Sequence, residues 1–192
     1  MNSSPIAQIA AWLKEAEGRE QAEPAAMSVA TVGADGRPSL RMVLLRGLDE
    51  RGLVFYTNLG SRKAADIRAN EHVACCLHWK SLGRQVRVEG AIGRVTRAES
   101  DEIFLARPRL SRLGALASPQ SRVVSGRRPL EKALAALQQR HDGSEVHRPA
   151  HWGGYRVAAD VFEFWQGRPN RLHDRLRYRR SGRRWKRDRL AP

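Results

Sequence analysis

Cysteine is scarce in this chain of 192 residues, which contains only Cys75 and Cys76. Neighbouring residues on a strand point to opposite faces, so these two thiols are poorly placed to form a disulfide with each other. A chain without a disulfide framework is typical of a reducing compartment. No run of about 18 apolar residues occurs, and the N-terminal stretch carries acids instead of the basic start of a secretory signal. We therefore expect a cytoplasmic protein without a membrane span.

Lysine is also rare, with 5 lysines against 30 arginines, and the formal net charge is +15. Such a charge attracts anions, which could be nucleic acid, acidic membrane or phosphorylated small molecules. A solvated arginine-rich surface accounts for the same excess without any ligand. Because the basic residues are not interleaved with aromatic ones as in RNA-binding modules, we do not expect nucleic acid as a partner. We do not expect a membrane partner either, since no apolar run is long enough to span one.

Short strands separated by turn signals fill most of the chain. The pattern predicts helices at residues 1–20, 60–70, 96–106, 110–117 and 129–142. It predicts strands at residues 27–33, 39–48, 53–58, 72–79, 85–95, 154–158, 161–166, 173–180 and 185–189. Gly90 and Gly93 indicate a bulge or a barrel corner in the longest of these strands. This order of elements favours a β-rich α+β fold built on a barrel.

Two positions in the first half of the chain are candidates for binding an anion. Arg62 and Lys63 follow Gly60-Ser61 at the predicted start of a helix, where free N–H groups and two cations suit a phosphate. An ordinary helix start with solvated cations is the alternative. Arg41 lies in an otherwise apolar strand, where a charge needs either a ligand or a carboxylate partner.

The second half of the chain has a tryptophan close to several basic residues. Trp165 is followed by Arg171, His173 and Arg175, and this combination suits a flat, anionic ligand. A β-hairpin with a core tryptophan and a basic turn is the alternative. Gln85 begins an alternating strand, and its amide is suited to the polar edge of a ring. His147 and His151 have metal-like spacing, but Pro149 breaks the helix that would align them and no second ligand pair follows, so we expect no metal.

The chain resembles the pyridoxamine 5′-phosphate oxidase family from about Ala26 to Pro192. The similar blocks occur in the same order as in the family: RMVLLR from Arg41, VFYTNLGSRKA from Val54, RQVRVEG from Arg84, RPRLSRLGALASPQS from Arg107, WGGYRV from Trp152, EFWQG from Glu163, RLHDRLRY from Arg171 and the terminal RLAP.

The resemblance implies a six-stranded antiparallel split β-barrel, flanked by short helices, that binds FMN as a homodimer. Residues 1–192 would form a single domain, in which residues 153–192 complete the flavin and substrate site. The implied reaction is the oxidation of pyridoxamine or pyridoxine 5′-phosphate to pyridoxal 5′-phosphate. Dioxygen is reduced to hydrogen peroxide in this reaction.

Functional residues also follow from the resemblance. It implies FMN contacts from Arg41, Met42, Val43, Leu44, Leu45, Arg46, Tyr56, Thr57, Arg62, Lys63, Gln85, Gln120, Ser121, Trp165 and Arg175. It implies substrate contacts from Arg46, Ile103, Arg107, Ser111, Arg171 and His173, with Arg107 and Ser111 on the substrate phosphate and with Arg171 and His173 as the catalytic pair.

Two of these positions depart from the family pattern. Arg46 stands where the family usually has lysine, and Ile103 stands where it usually has tyrosine. Arg46 keeps a positive charge with a different shape, whereas Ile103 lacks a hydroxyl donor. A related flavin oxidase of phenazine-type biosynthesis is therefore the alternative enzyme. A module that binds FMN or nucleic acid without turnover is the alternative outside the enzymes.

Overall fold

The computed structural model describes residues 2–19 and 23–192. Five helices occur in these residues: α1 (Pro5–Glu17), α2 (Arg62–Ala69), α3 (Arg97–Leu105), α4 (Arg109–Ala117) and α5 (Arg127–Arg140). The nine strands of the same residues are β1 (Ala26–Val32), β2 (Pro38–Leu44), β3 (Gly47–Asp49), β4 (Gly52–Asn58), β5 (His72–Trp79), β6 (Arg84–Arg94), β7 (Trp152–Gln166), β8 (Asp174–Ser181) and β9 (Arg184–Leu190). None of the described helices is long and apolar enough to cross a membrane.

The strands form one curled antiparallel sheet in the order β2-β1-β5-β6-β7-β4-β3. The hairpin β8-β9 joins this sheet at the far half of β7. Strands β2 and β4 lie against each other, which gives the sheet the form of a half-barrel. The predicted β-rich split barrel with flanking helices is confirmed. The expected count of six strands is corrected to seven in the curled sheet.

The stretch 39–48, predicted as one strand, is divided into β2 and β3. The chain changes its pairing partner at Leu45 and Arg46. The N–H of Leu45 donates to the carbonyl of Ala25, whereas the N–H of Arg46 donates to the carbonyl of Val54 on β4. A change of partner between distant strands leaves no signal in the local sequence. The continuous apolar run therefore predicted one strand where the structure has two.

The stretches 154–158 and 161–166 were predicted as separate strands, but they form the single strand β7. A bulge accounts for the interruption in the pattern, because Glu89 pairs with Val161 whereas Gly90 pairs with Ala159. Asp160 is the extra residue. The predicted irregularity at Gly90 is therefore confirmed, and the bulge bends the longest strand of the sheet.

Helix α1 closes one side of the barrel core. Ser4 caps it by accepting a hydrogen bond from the N–H of Ala7, and Pro5 occupies its first turn. Its buried Trp12 packs edge-on against Trp79 and Phe164, with ring centroids 6.4 and 5.3 Å apart. The predicted N-terminal helix is confirmed between Pro5 and Glu17, whereas residues 1 and 20 of the predicted range lie outside the described residues.

Two apolar clusters lie on opposite sides of the sheet. The larger one fills the barrel with side chains from α1, α2 and most of the strands. The smaller one comprises Phe104, Leu113, Val146 and Trp152, with Tyr56 and Ile103 packed against it. This second cluster anchors α3 and α4 to the beginning of β7 and so shapes the surface between them.

The close approach of two strands at Gly90 can be tested against a glycine of the same strand. A Cβ at Gly90 would lie 2.2 Å from the carbonyl oxygen of Ala158, whereas a Cβ at Gly93 would meet nothing within 4 Å. We expect Gly90→Ala to lower the melting midpoint by roughly 6 to 12 °C, because overpacking of this kind costs about 3 kcal/mol. Gly93→Ala should melt no lower than the unmodified protein. Equal midpoints for the two variants in thermal unfolding would contradict the bulge geometry.

Candidate active site

A cavity of about 440 Å³ opens between β2, β4, α2 and α4, and its wall carries two cations, Lys63 and Arg107. The Nζ atom of Lys63 donates to Oγ1 of Thr57 at 2.9 Å and to Oε1 of Gln120 at 2.9 Å. The residue is only 8% exposed, and no carboxylate of the described residues pairs with it. Burial lowers the pKa of Lys63, and the charge of Arg41 lowers it further. A buried ammonium group without a counter-charge is suited to an anionic ligand.

Arg41 lies close to this lysine, but its guanidinium group is already bonded. Nη1 donates to Oγ1 of Thr31 at 2.6 Å, and Nη2 lies 3.5 Å from Oδ2 of Asp66. Thr31 in turn donates to the same carboxylate oxygen at 2.6 Å. Burial lowers the pKa of Arg41, and Asp66 opposes that change. Of the two alternatives for this charge, the structure shows the carboxylate partner, which holds the arginine beside Lys63 and Arg62.

A second cavity of about 690 Å³ adjoins the first and shares Tyr56, Arg107, Ser111 and Trp152 with it. The guanidinium of Arg107 lies over the rings of Trp152 and Phe104, 5.1 and 5.9 Å from their centroids. Its Nη1 atom is buried without a hydrogen-bond partner in the described residues. Burial lowers the pKa of Arg107, and the charge of Arg46 lowers it further. Arg46 and Arg107 are therefore close enough for their charges to interact, and Arg107, which lines both cavities, has an unsatisfied donor.

Tyr56 and Trp152 form the wall between the two cavities. Their rings are stacked, with centroids 5.2 Å apart and an interplanar angle of 9°. A Cβ at Gly154 would lie 2.7 Å from the Tyr56 ring, so only glycine allows the ring to lie flat on β7 at this point. The shared wall makes the two cavities parts of one groove.

Most of the expected site residues from the first two thirds of the chain lie around this groove. Met42, Val43, Tyr56, Thr57, Lys63, Arg107, Ser111 and Gln120 line the first cavity, and Leu44, Arg46 and Ile103 line the second. Leu45 points into the barrel core instead. Ser121 is exposed beside Gln120, in a left-handed conformation with φ of 72°.

The remaining expected residues lie elsewhere on the chain. Gln85, Trp165 and Arg175 lie where β6, β7 and β8 meet, and Arg171 and His173 lie in the adjoining turn. Thr57 pairs with Gly153 at the opposite end of β7. At about 3.3 Å per residue, Gly153 and Trp165 are separated by about 40 Å along the strand. None of these five residues of the described chain lines either cavity, so the expected site residues form two separate groups on one chain, which we call half-sites.

Contacts within the second half-site hold its residues in place. Glu163, which is 8% exposed, accepts hydrogen bonds from Nε and Nη2 of Arg175 at 2.8 and 3.1 Å. The carbonyl of Ala191 accepts a third, from Nη1, at 2.8 Å. The rings of Trp165 and His173 are in contact, with centroids 4.7 Å apart. These contacts orient an arginine and a histidine beside a tryptophan ring.

The groove also contains residues that were not expected from the sequence, among them Trp152 and Asn58. Trp152 stacks on Tyr56, and Asn58 donates from Nδ2 to the carbonyl of Ser118, which ties the end of β4 to the end of α4. The Gly153-Gly154 pair beside Trp152 is the signal that could have indicated a close ring contact here. Asn58 carries no comparable signal, because its partner is distant in sequence.

Family models match both parts of the chain. A model described as pyridoxamine 5′-phosphate oxidase matches residues 13–141, and one described as pyridoxine 5′-phosphate oxidase C-terminal dimerisation region matches residues 152–192. The chain belongs to the pyridoxamine 5′-phosphate oxidase family. Both half-sites therefore lie in segments shared with that oxidase family.

A relative with a curated name has the same activity in its name as the family model. The chain is 50% identical over 192 residues to the pyridoxine/pyridoxamine 5′-phosphate oxidase of Gluconobacter oxydans (strain 621H), with coverage of 100% of this chain and 96% of the relative.

Solved structures resemble the chain as well. PhzG of Burkholderia lata 383, in complex with tetrahydrophenazine-1-carboxylic acid, superposes with a TM-score of 0.94 at 32% identity and covers 100% of this chain and 94% of PhzG. A pyridoxamine 5′-phosphate oxidase-related, FMN binding protein of Nostoc punctiforme PCC 73102 has a TM-score of 0.79 at 18% identity, with 98% of each chain covered. This second likeness shows the shared fold.

Helix α3, which carries Ile103 to the groove, starts with a capping box. The carboxylate of Glu99 accepts hydrogen bonds from the N–H and the hydroxyl of Thr96 at 2.8 and 2.9 Å, and it pairs with Arg156 at 3.0 Å. The hydrogen bonds from Thr96, assisted by Arg156, lower the pKa of Glu99 to about 2. The hydroxyl of Thr96 accepts a hydrogen bond from the N–H of Glu99 at 3.1 Å in return, which completes the box.

This carboxylate gives a pH dependence with a defined sign. Because the folded pKa is depressed, the stabilisation by Glu99 is complete above the ordinary pKa of about 4.5 and is lost as the pH falls towards about 2. We expect Glu99→Gln to melt below the unmodified protein near neutral pH, with the gap closing over that acid range. Glu102→Gln, an exposed change on the same helix, is the control and should leave the midpoint nearly unchanged. A gap that persists at the acid end would show that the charge is not responsible.

Proposed function

We propose that this protein oxidises pyridoxine or pyridoxamine 5′-phosphate to pyridoxal 5′-phosphate with FMN as its cofactor and dioxygen as the electron acceptor. Family membership and the name of the Gluconobacter oxydans relative support this reaction. The observation that carries the proposal is a pair of cations in one groove, the buried Lys63 and the half-buried Arg107 with its buried Nη1 atom, which lack carboxylate partners in the described residues. Two cationic positions suit two phosphorylated molecules bound side by side.

The residues around Lys63 fit the phosphate end of FMN. Lys63 and the exposed Arg62 would bind the phosphate, with Arg41 adding positive charge from beside them and Gln120 and Ser121 completing the polar wall. The chain has no Gly-x-Gly-x-x-Gly fingerprint, which argues against a dinucleotide such as FAD. When bound, FMN supplies the acceptor for the hydride equivalent, and dioxygen reoxidises it with formation of hydrogen peroxide.

The separation of the half-sites supports a homodimer as the active form. The groove of one chain needs a tryptophan, an arginine and a histidine that lie far along β7 in the same chain, but a second copy can supply them. The family model over residues 152–192 is described as a dimerisation region. Leu40 and Met42 on β2 are 68% and 63% exposed, which leaves an apolar strip for a partner to cover. Each groove would then be completed by Gln85, Trp165, Arg171, His173 and Arg175 of the other chain.

The second cavity suits the phosphate of the substrate. Arg107 offers an unsatisfied donor, Ser111 a hydroxyl and Arg46 a further charge, with Ile103 as the apolar wall. Arg171 and His173 would hold the reacting end of the substrate against the flavin. Arg175 would stabilise the negative charge that develops on the reduced ring. The ligand in the PhzG structure is a carboxylic acid. In this chain, the two charges of Arg46 and Arg107 and the unsatisfied Nη1 donor of Arg107 favour a dianionic phosphate.

Oxygen consumption tests the reaction directly. The purified protein should consume dioxygen and form hydrogen peroxide with pyridoxine 5′-phosphate or pyridoxamine 5′-phosphate, and much more slowly with unphosphorylated pyridoxine. Turnover of pyridoxine equal to that of its phosphate ester would contradict the assigned phosphate site. Lack of turnover with either phosphate ester, by protein that retains its flavin, would favour the phenazine-type alternative.

Lys63 gives a prediction for the cofactor. We expect Lys63→Met to weaken FMN binding about ten- to a hundred-fold, because a hydrogen bond to a charged group contributes about 1.5 to 3 kcal/mol. Riboflavin, which lacks the phosphate, should bind both proteins with similar affinity. Quenching of flavin fluorescence on titration into the apoprotein measures both constants. Lys132→Met, on the exposed surface of α5, is the matched control. An equal loss of riboflavin affinity would show that Lys63 acts on the fold and not on the phosphate.

Ile103 gives a prediction for the substrate. A tyrosine at this position could donate a hydrogen bond to the substrate phosphate, so we expect Ile103→Tyr to lower KM for pyridoxine 5′-phosphate by about ten- to a hundred-fold. The value of kcat should change little, because the phosphate is remote from the reacting carbon. Ile103→Phe is the matched control, since it adds the ring without the hydroxyl. If steady-state kinetics give the same KM for both variants, the effect comes from packing and the assigned hydrogen bond is wrong.

A further inference from the structure

Glu163 is a buried carboxylate on the face of β7 that carries Trp165. Side chains two residues apart on a strand lie on the same face of the sheet, so the two residues are neighbours on that face. Strand pairing places Arg87 of β6 and Arg177 of β8 opposite Glu163. The residue is only 8% exposed. A buried carboxylate needs partners that bear charge or donate hydrogen bonds, and arginines supply them here.

Two arginines pair with this carboxylate. Arg175 donates to it from Nε and from Nη2, at 2.8 and 3.1 Å, which is the two-bond geometry that arginine and carboxylate favour. Nη1 of Arg87 lies 3.5 Å from it. The three side chains line one cavity of about 310 Å³. The negative charge of Glu163 therefore lies one hydrogen bond away from the arginine that we assign to the flavin ring.

The guanidinium group of Arg175 can bind a ligand without leaving Glu163. An arginine has five N–H donors. Glu163 accepts from Nε and Nη2, and the carbonyl of Ala191 accepts from Nη1. Within the described residues, one N–H of Nη1 and one of Nη2 remain for a ligand. A flavin ring bound there would experience the positive charge of Arg175 and the negative charge of Glu163 together.

We infer that Glu163 lowers the reduction potential of the bound flavin, because its charge offsets the positive charge that Arg175 presents to the ring. The inference rests on the proposed function for the presence of FMN and for the second chain that brings Arg175 to it. Reduction adds negative charge to the ring, which a nearby cation stabilises and a nearby carboxylate destabilises. A lower potential favours the half of the reaction in which dioxygen accepts two electrons and two protons and becomes hydrogen peroxide.

Potentiometric titration of the holoenzyme tests the inference without turnover. By linkage, the midpoint potential measures the ratio of the affinities for reduced and oxidised FMN. We expect Glu163→Gln to raise this ratio about tenfold, the order expected for a unit charge about 10 Å from the ring at an effective dielectric constant of about 20. Glutamine keeps an oxygen that accepts a hydrogen bond from Arg175, so the guanidinium group keeps its place. An unchanged or lower potential would overturn the inference.

Glu89→Gln is the matched control. Glu89 also pairs with Arg87, at 2.9 Å, but it is exposed and lies two residues farther along β6 from Gln85. The same loss of charge there should leave the potential nearly unchanged. A shift as large as that of Glu163→Gln would show a general effect of net charge and would overturn the specific role of Glu163.

A second variant tests the same charge if Glu163→Gln does not fold or does not retain FMN. The side chain of Arg87 is 47% exposed, so its replacement is tolerated more easily. Arg87→Gln removes a cation that partly neutralises Glu163, and the potential should therefore fall. A potential that stays the same or rises in this variant would contradict the inference.

Arg175→Met separates failure of the inference from failure of the proposed function. If the ring lies against Arg175, this variant should have a lower potential than the unmodified protein. An unchanged potential would show that the second half-site does not face the flavin, so the proposed arrangement of two chains would fail and the inference with it. A lower potential in Arg175→Met, without a higher one in Glu163→Gln, would overturn the inference alone.

Discussion

The hydrogen-bonded ladder along β7 is the constraint on which the rest of the molecule depends. This strand of 15 residues pairs with β6 over most of its length, with β4 at its beginning and with β8 at its end. Its beginning carries Trp152 and the two glycines beneath Tyr56, and its end carries Glu163 and Trp165. The bulge at Asp160 bends the strand between these regions, so one backbone fixes the position and orientation of both half-sites.

The second constraint is positive charge that has no carboxylate partner, and among the groove residues it is concentrated at two side chains. Most arginines with buried stems are paired, as Arg156 is with Asp49 and Arg148 with Asp101. In the groove of the described chain, Lys63 and Arg107 have no carboxylate partner. Burial lowers the pKa of both groups. A cation in this state is destabilising unless an anion binds, so these two positions are the ones that we propose for ligand binding.

Elements with a local signal could be predicted from the sequence, and elements set by distant partners could not. The strand His72–Trp79 alternates buried and exposed residues, and Thr96 with Glu99 forms a capping box within one turn, so both were visible in the pattern. The change of partner at Arg46 and the extra residue at Asp160 depend on strands far away in sequence. The salt bridge of Arg41 with Asp66 joins a strand to a helix 25 residues later. The resemblance supplied site residues but not their distribution over two ends of one strand.

In the homodimer that we propose, the division of the site between the ends of β7 links two equilibria of the protein. A ligand held between the groove of one chain and the far half-site of another binds only to the associated form. By mass action, such a ligand strengthens association, and association strengthens its binding by the same factor. Cofactor retention must then depend on protein concentration, so that dilution releases the ligand and separates the chains together. The observed affinity for the cofactor therefore includes a contribution from the free energy of association of the two chains.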